Sequence, residues 1–141
     1  MSIDGGLRQI FRTKFRDYQW TSIETGAVSP GTPDAEYCAP GGLSGWVEFK
    51  KTSGWKVEFR PLQVPWIHRR ARLGGRVFIA VRRKKDELYL ISGADVLELE
   101  EKGVKNFVPI AGVGSRNWDW NEVEQILLGR MDSVTAVKDD R

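Results

Sequence analysis

Trp46-Val47-Glu48-Phe49-Lys50-Lys51-Thr52 is the stretch on which the reading of this chain turns. It is rich in aromatic and β-branched residues and reads as a strand. Side chains alternate faces along a strand, so Val47 and Phe49 share one face and Glu48 and Lys50 the other. The apolar pair belongs to a core, which leaves the acid and the lysine side by side on the opposite face. Upstream, Pro33-Asp34 opens a second strand, Asp34 to Cys38, and Ala39-Pro-Gly-Gly-Leu-Ser-Gly45 joins the two as a hairpin. With that whole connection as the loop, Glu36 pairs with Glu48 and Asp34 with Lys50, which leaves Asp34 diagonal to Glu48. A slip of one residue would turn every side chain to the other face. In this register two carboxylates and an ammonium converge.

Two carboxylates held together repel, and the pKa of one rises. A divalent cation between them reverses that. Mg²⁺ takes oxygen ligands and keeps several waters, so Asp34, Glu48 and the backbone carbonyl of Phe49 make a reasonable cradle for it. Such a cation orients a water, lowers its pKa and stabilises charge on a phosphoryl oxygen. Lys50 is placed to hold the attacking water or to neutralise a pentavalent phosphate. The plainer alternative is a surface ion pair across a hairpin, worth about 0–1 kcal/mol. Glu36, on the same strand face, is a rival ligand to Asp34.

Three neighbouring features favour chemistry over the ion pair. The loop Glu24-Thr-Gly-Ala-Val-Ser-Pro-Gly-Thr-Pro-Asp34 carries glycines that let a backbone approach a large ligand closely. Gln63, followed by Trp66, stands near the start of the next helix. Beyond it comes a basic segment. From Phe59 to Lys85 there is no acid, and nine of the chain's 22 basic residues lie there: Arg60, Arg69, Arg70, Arg72, Arg76, Arg82, Arg83, Lys84 and Lys85. The remaining 13 basic residues face 19 acidic ones, so a net charge of only +3 hides an acidic body with one strongly basic segment. That asymmetry suits a polyanion binder, with the basic residues gripping phosphates rather than reading bases.

Gly31-Thr-Pro-Asp34, then Trp46-Val-Glu48-Phe-Lys50, then Leu62-Gln63-x-x-Trp66, a Gly-Gly turn and the strand Val77-Phe-Ile-Ala-Val81 resemble the PD-(D/E)XK nuclease superfamily. Within it the sequence is most similar to the virus-type replication-repair (VRR-NUC) branch and to small phage endonucleases described as Holliday junction resolvases. The likeness spans about residues 20 to 91. It implies an α/β fold with a restriction-endonuclease-like core, a mixed β-sheet with flanking helices. It implies that Asp34 and Glu48 bind Mg²⁺ or Mn²⁺ and that Lys50 is the catalytic lysine. Glu24 resembles the additional acid that such nucleases supply from an upstream element, although no long N-terminal helix precedes it. Gln63 resembles the glutamine that contacts the hydrated metal or the DNA. The implied activity is metal-dependent hydrolysis of DNA phosphodiester bonds, selective for branched DNA, by a homodimer whose two sites make paired cuts. A nickase or flap nuclease without junction preference, and a catalytically inactive DNA-binding module, remain alternatives, because this fold hosts restriction, repair and recombination enzymes.

The rest of the chain reads as a single domain over residues 1–132 with a flexible tail over 133–141. Leu7 to Tyr18 carries apolar residues at helical spacing. Trp20 to Thr25 is extended. Pro61 to Leu73 is a helix that starts near Leu62 or Gln63, with Pro65 in its first turn. Val77 to Val81 is a buried strand, and Leu88 to Ile91 another. Asp95 to Lys102 and Asp119 to Leu128 are helices, the second capped by Asp119. One Cys (Cys38) and one His (His68) exclude an internal disulfide and a Cys/His zinc site. Cys38 reads as a small buried residue, His68 as part of the basic face, and Trp118 and Trp120 as packing for the last helix. Gly112-Val-Gly114 is too short for a dinucleotide loop. No secretory signal or membrane-length apolar run is visible, so the expected location is the cytoplasm of a bacterium or of a phage's host, with no membrane partner and no organic cofactor.

Overall fold

The structure, a computed structural model, describes residues 4–23 and 30–130. The elements follow in the order α1 (Leu7–Lys14), β1 (Gln19–Ser22), β2 (Ala35–Cys38), β3 (Ser44–Thr52), α2 (Gln63–Arg72), β4 (Val77–Arg83), β5 (Glu87–Ser92), a 3₁₀ turn (Gly93–Asp95), α3 (Val96–Lys102) and α4 (Trp120–Leu127). The strands form one mixed sheet in the order β1-β2-β3-β4-β5. The β3–β4 pair is parallel, with α2 as its crossover, and the other pairs are antiparallel. This is the expected mixed sheet with flanking helices.

The strand alternation divides the core in two. Val47, Phe49, Phe78 and Ala80 pack with Leu7 and Phe11 of α1 and with Val123, Ile126 and Leu127 of α4. Val77, Ile79 and Val81 pack on the other face with Val64 and Ile67 of α2 and with Val96 and Leu99 of α3. An eight-residue helix such as α1 is not stable alone in water. Burial of Leu7 and Phe11, each worth about 1.5–3 kcal/mol, holds it on the sheet. Helix α1 stops at Lys14 rather than running towards Tyr18, because Phe15 leaves the helical region; Phe15 and Tyr18 turn instead into an aromatic cluster with Trp20, Tyr37 and Trp120.

The hairpin register departs from expectation by two residues. Glu36 pairs with Trp46, and Ala35 with Val47. The turn is shorter than the sequence suggested: Ala39 N–H donates to the Leu43 carbonyl and Gly42 N–H to that of Ala39, with Gly41 and Gly42 at positive φ. Strand β3 therefore begins at Ser44, two residues early. A shift of two preserves every side chain's face. It moves Asp34 from opposite Lys50 to opposite Glu48.

Helix α2 starts at Gln63 with Pro65 in its first turn, as expected, and Gly103 ends α3. Asp119 caps α4, accepting the Glu122 N–H at 3.1 Å. Glu24 and the expected tail over 133–141 lie outside the described residues. No helix among the described residues is long and apolar enough to cross a membrane.

Candidate active site

Gly31 sets the geometry. Its φ is +90°, and its Cα packs so closely on the Leu62 peptide that a Cβ would overlap the Leu62 carbonyl. The loop glycine expected to admit a ligand instead admits the chain's own backbone. This contact brings Thr32-Pro33-Asp34 to the start of α2. Leu62 itself, at φ +75°, holds a left-handed conformation costly for an L-residue and turns the chain directly into Gln63.

Asp34, Glu48, Lys50 and Gln63 meet at this point. The Asp34 N–H donates to Glu48 Oε1 at 3.0 Å, and the Phe49 N–H donates to Asp34 Oδ2 at 2.9 Å. Both bonds tie a backbone N–H to a carboxylate just past the end of β2. Gln63 Nε2 donates to Glu48 Oε2 at 2.7 Å, and Lys50 Nζ lies 3.3 Å from the same oxygen. Lys50 Nζ also donates to Gln63 Oε1 at 2.9 Å, and that oxygen accepts the Arg60 N–H at 2.8 Å. Lys50 lies over the Phe59 ring, 4.8 Å from its centroid. Gln63 is wholly buried and Glu48 is 3% exposed.

A buried carboxylate is costly to ionise. Burial pushes the Glu48 pKa above its usual value, and the neighbouring Asp34 charge pushes it further; Lys50 and the Gln63 amide pull it back. The ionised Glu48 is thus held at a cost that positive charge beside it offsets.

Asp34, Glu48 and Phe49 line a cleft of about 230 Å³ together with Lys50, Arg60 and two residues of the N-terminal segment, Asp4 and Arg8. In an extended strand the N–H and C=O of one residue point to the same edge. The Phe49 carbonyl therefore faces the side on which its N–H meets Asp34. Two carboxylates and one carbonyl, with water completing the shell, fit the habits of Mg²⁺ or Mn²⁺. Among the described residues no group of three or more His, Cys, Asp or Glu is disposed to hold a metal ion. Glu36, opposite Trp46, is not among the cleft's residues.

Asp4 and Arg8 were not anticipated. Asp4 Oδ1 and Oδ2 accept the N–H groups of Gly6 and Arg8 and start α1. Arg8 Nη2 then reaches Asp34 Oδ1 at 3.4 Å. The available signal was an aspartate just before an amphipathic helix, the ordinary mark of a helix start.

The nine basic residues do not form one patch. Helix α2 runs back along the sheet for about 15 Å, so Arg69, Arg70 and Arg72 in its last turn lie at the end remote from Gln63. Arg69 and Arg72 line a shallow hollow with His68, while Arg70 stacks over Trp46 and Trp66. Arg76 donates to the Ser44 carbonyl, and Arg82 to those of Gly5 and Lys85. Arg83 is buried and paired with Glu87. Lys84 and Lys85 remain exposed near the cleft and are joined there by Lys51 and Lys56, which the sequence reading passed over. Trp118 is buried, and Trp120 packs against the core, as anticipated.

No protein-family model and no curated protein matches the chain. Solved structures similar to it include a VRR_NUC domain, with a TM-score of 0.48 at 18% identity over 72% of this chain and 97% of that one. They also include Hjc of Archaeoglobus fulgidus, a Holliday junction resolvase from an archaeal hyperthermophile, with a TM-score of 0.45 at 13% identity over 62% and 74% of the two chains.

Proposed function

We propose that the chain is a metal-dependent DNA endonuclease that hydrolyses phosphodiester bonds in branched DNA. The observation that carries this reading is the four-residue cluster in which the buried Gln63 bridges the buried Glu48 and the half-buried Lys50 beside Asp34. A fold seldom buries a carboxylate beside a second acid and a lysine unless their charges are used.

In this reading Asp34, Glu48 and the Phe49 carbonyl hold one Mg²⁺ or Mn²⁺. Bound there, the cation supplies Lewis-acid stabilisation of a phosphoryl oxygen and activation of a water. The chain's own residues do the rest. Gln63 fixes the Glu48 carboxylate from one side and the Lys50 ammonium from the other, so neither reorganises when substrate enters. Lys50, aligned over Phe59, places a positive charge where negative charge develops during phosphoryl transfer. Arg60 and Lys51 at the cleft mouth neutralise the phosphates on either side of the scissile bond. Glu24, from the upstream loop, is proposed as an additional acidic ligand. Paired cuts in a four-way junction require two such sites, hence a homodimer.

The test compares four-way junction, flap, nicked and plain duplex DNA in Mg²⁺ and in EDTA. The reading predicts metal-dependent cleavage, fastest on the junction. Equal rates on all four substrates would leave a nuclease without junction preference. DNA retention with no cleavage would leave a binding module.

A further inference from the structure

Past Lys51 the cleft opens into a second hollow. A groove of about 770 Å³ runs beside the loop after β3, and Lys51 and Glu58 line both spaces. Its other residues include Trp55, Lys56, Lys84 and Lys85. Trp55 is 45% exposed, a large apolar surface to leave in water.

Trp55 is nevertheless held firmly. The Arg83 guanidinium lies 3.7 Å from its ring centroid. Arg83 is fixed in turn by the Gly54 carbonyl at 2.8 Å and by Glu87 at 3.2 Å. The Trp55 carbonyl accepts the Val104 N–H at 2.8 Å, and Gly103 packs so tightly on that peptide that a Cβ would collide with it. The ring is therefore backed by a buried cation, anchored to the end of α3 and presented to a groove rimmed by ammonium groups. Lys56 is partly committed, donating to the Glu101 carbonyl at 3.3 Å. Lys51, Lys84 and Lys85 are exposed on the rim.

A firmly held exposed aromatic beside several exposed cations is the apparatus of single-strand binding. Stacking on a ring needs a base with a free face, which the internal pairs of a duplex do not offer. We propose that this groove takes an unpaired nucleotide strand, with one base stacked on Trp55 and neighbouring phosphates held by Lys51, Lys84 and Lys85. This inference rests on the nuclease reading and adds to it a subsite for a strand left unpaired at the branch point. Because the groove and the cleft share Lys51 and Glu58, a strand held in the groove lies next to the cut.

The experiment measures fluorescence anisotropy of two labelled DNAs in EDTA, a short duplex with a thymidine tail and the same duplex with blunt ends. Wild type is expected to prefer the tailed DNA. Trp55→Ala should weaken tailed binding by roughly tenfold or more and leave blunt binding unchanged. Trp55→Phe, which keeps a ring in place, should retain most of the preference. No preference in wild type, an equal loss on both DNAs, or a Phe variant as weak as the Ala variant would overturn the inference. Cleavage in Mg²⁺ is scored separately. If DNA is cut but Trp55 makes no difference to tail binding, only this inference falls. If tail binding depends on Trp55 but nothing is cut, only the nuclease reading falls.

Discussion

Gln63 Nε2 donates to Glu48 Oε2 at 2.7 Å, and neither side chain has appreciable contact with water. The same amide accepts from Lys50 and from the Arg60 N–H through its oxygen. Replacing it with leucine leaves one buried carboxylate oxygen, one ammonium and one N–H each short of a partner. Gln63→Leu is therefore expected to lower stability by about 1–3 kcal/mol, read from urea unfolding. It should also lower cleavage, since Glu48 and Lys50 lose their common brace. A variant as stable and as active as wild type would remove Gln63 from the account.

Glu48 gives a pH signature. Its folded-state pKa is raised, mainly by burial and then by Asp34, so between the unfolded and folded values the folded chain binds more protons. Stability from this group is present below the ordinary glutamate value and is lost as pH rises towards the folded value. In EDTA, the melting temperature of wild type minus that of Glu48→Gln should therefore fall as pH increases through that window. Mg²⁺, which binds the deprotonated form, should reduce or reverse the fall. A difference that rises with pH in EDTA would contradict the shift.

Arg8 competes for the same carboxylate that a metal needs. Its guanidinium is 3.4 Å from Asp34 Oδ1 and partly exposed, so the pair is worth about 0.2–1 kcal/mol. Arg8→Ala is expected to tighten Mg²⁺ binding a few-fold in calorimetry. Weaker binding would show that Arg8 supports the site instead of opposing the cation.

Gly31 and Gly41 form a controlled pair. Both have positive φ, at +90° and +93°, but a Cβ at Gly31 meets the Leu62 backbone whereas one at Gly41 meets nothing within 4 Å. Gly41→Ala should cost about 1–2 kcal/mol from the left-handed conformation alone. Gly31→Ala should cost about 1–3 kcal/mol more and should also lower cleavage, because the collision parts Asp34 from Gln63. Equal effects of the two substitutions would mean that the Gly31–Leu62 contact does not position the site.

The sequence made the acid and lysine of β3 legible because strand alternation leaves little choice once Val47 and Phe49 are assigned to the core. It made Gln63 legible through Pro65, which pins the start of α2. The pairing of Asp34 with Glu48 was not legible. It depends on how many residues a Gly-Gly turn consumes, and a tight turn at Ala39–Leu43 used two fewer than expected. The scatter of the basic segment was also hidden. Charge density is a property of sequence, but whether Arg83 meets solvent or Glu87 is decided by the strand pair that carries both. Arg8 reaches Asp34 only because α1 folds back over β3, a contact distant in sequence.

The most direct measurement is the rate at which a labelled four-way junction is cut in Mg²⁺ by wild type, Asp34→Asn and Lys50→Ala, each checked for folding by its melting curve. Loss of a group that stabilises developing charge costs about 10²–10³ in rate. The account predicts metal-dependent cutting by wild type and a loss of at least that size in both variants. Cutting by both variants at the wild-type rate would contradict it.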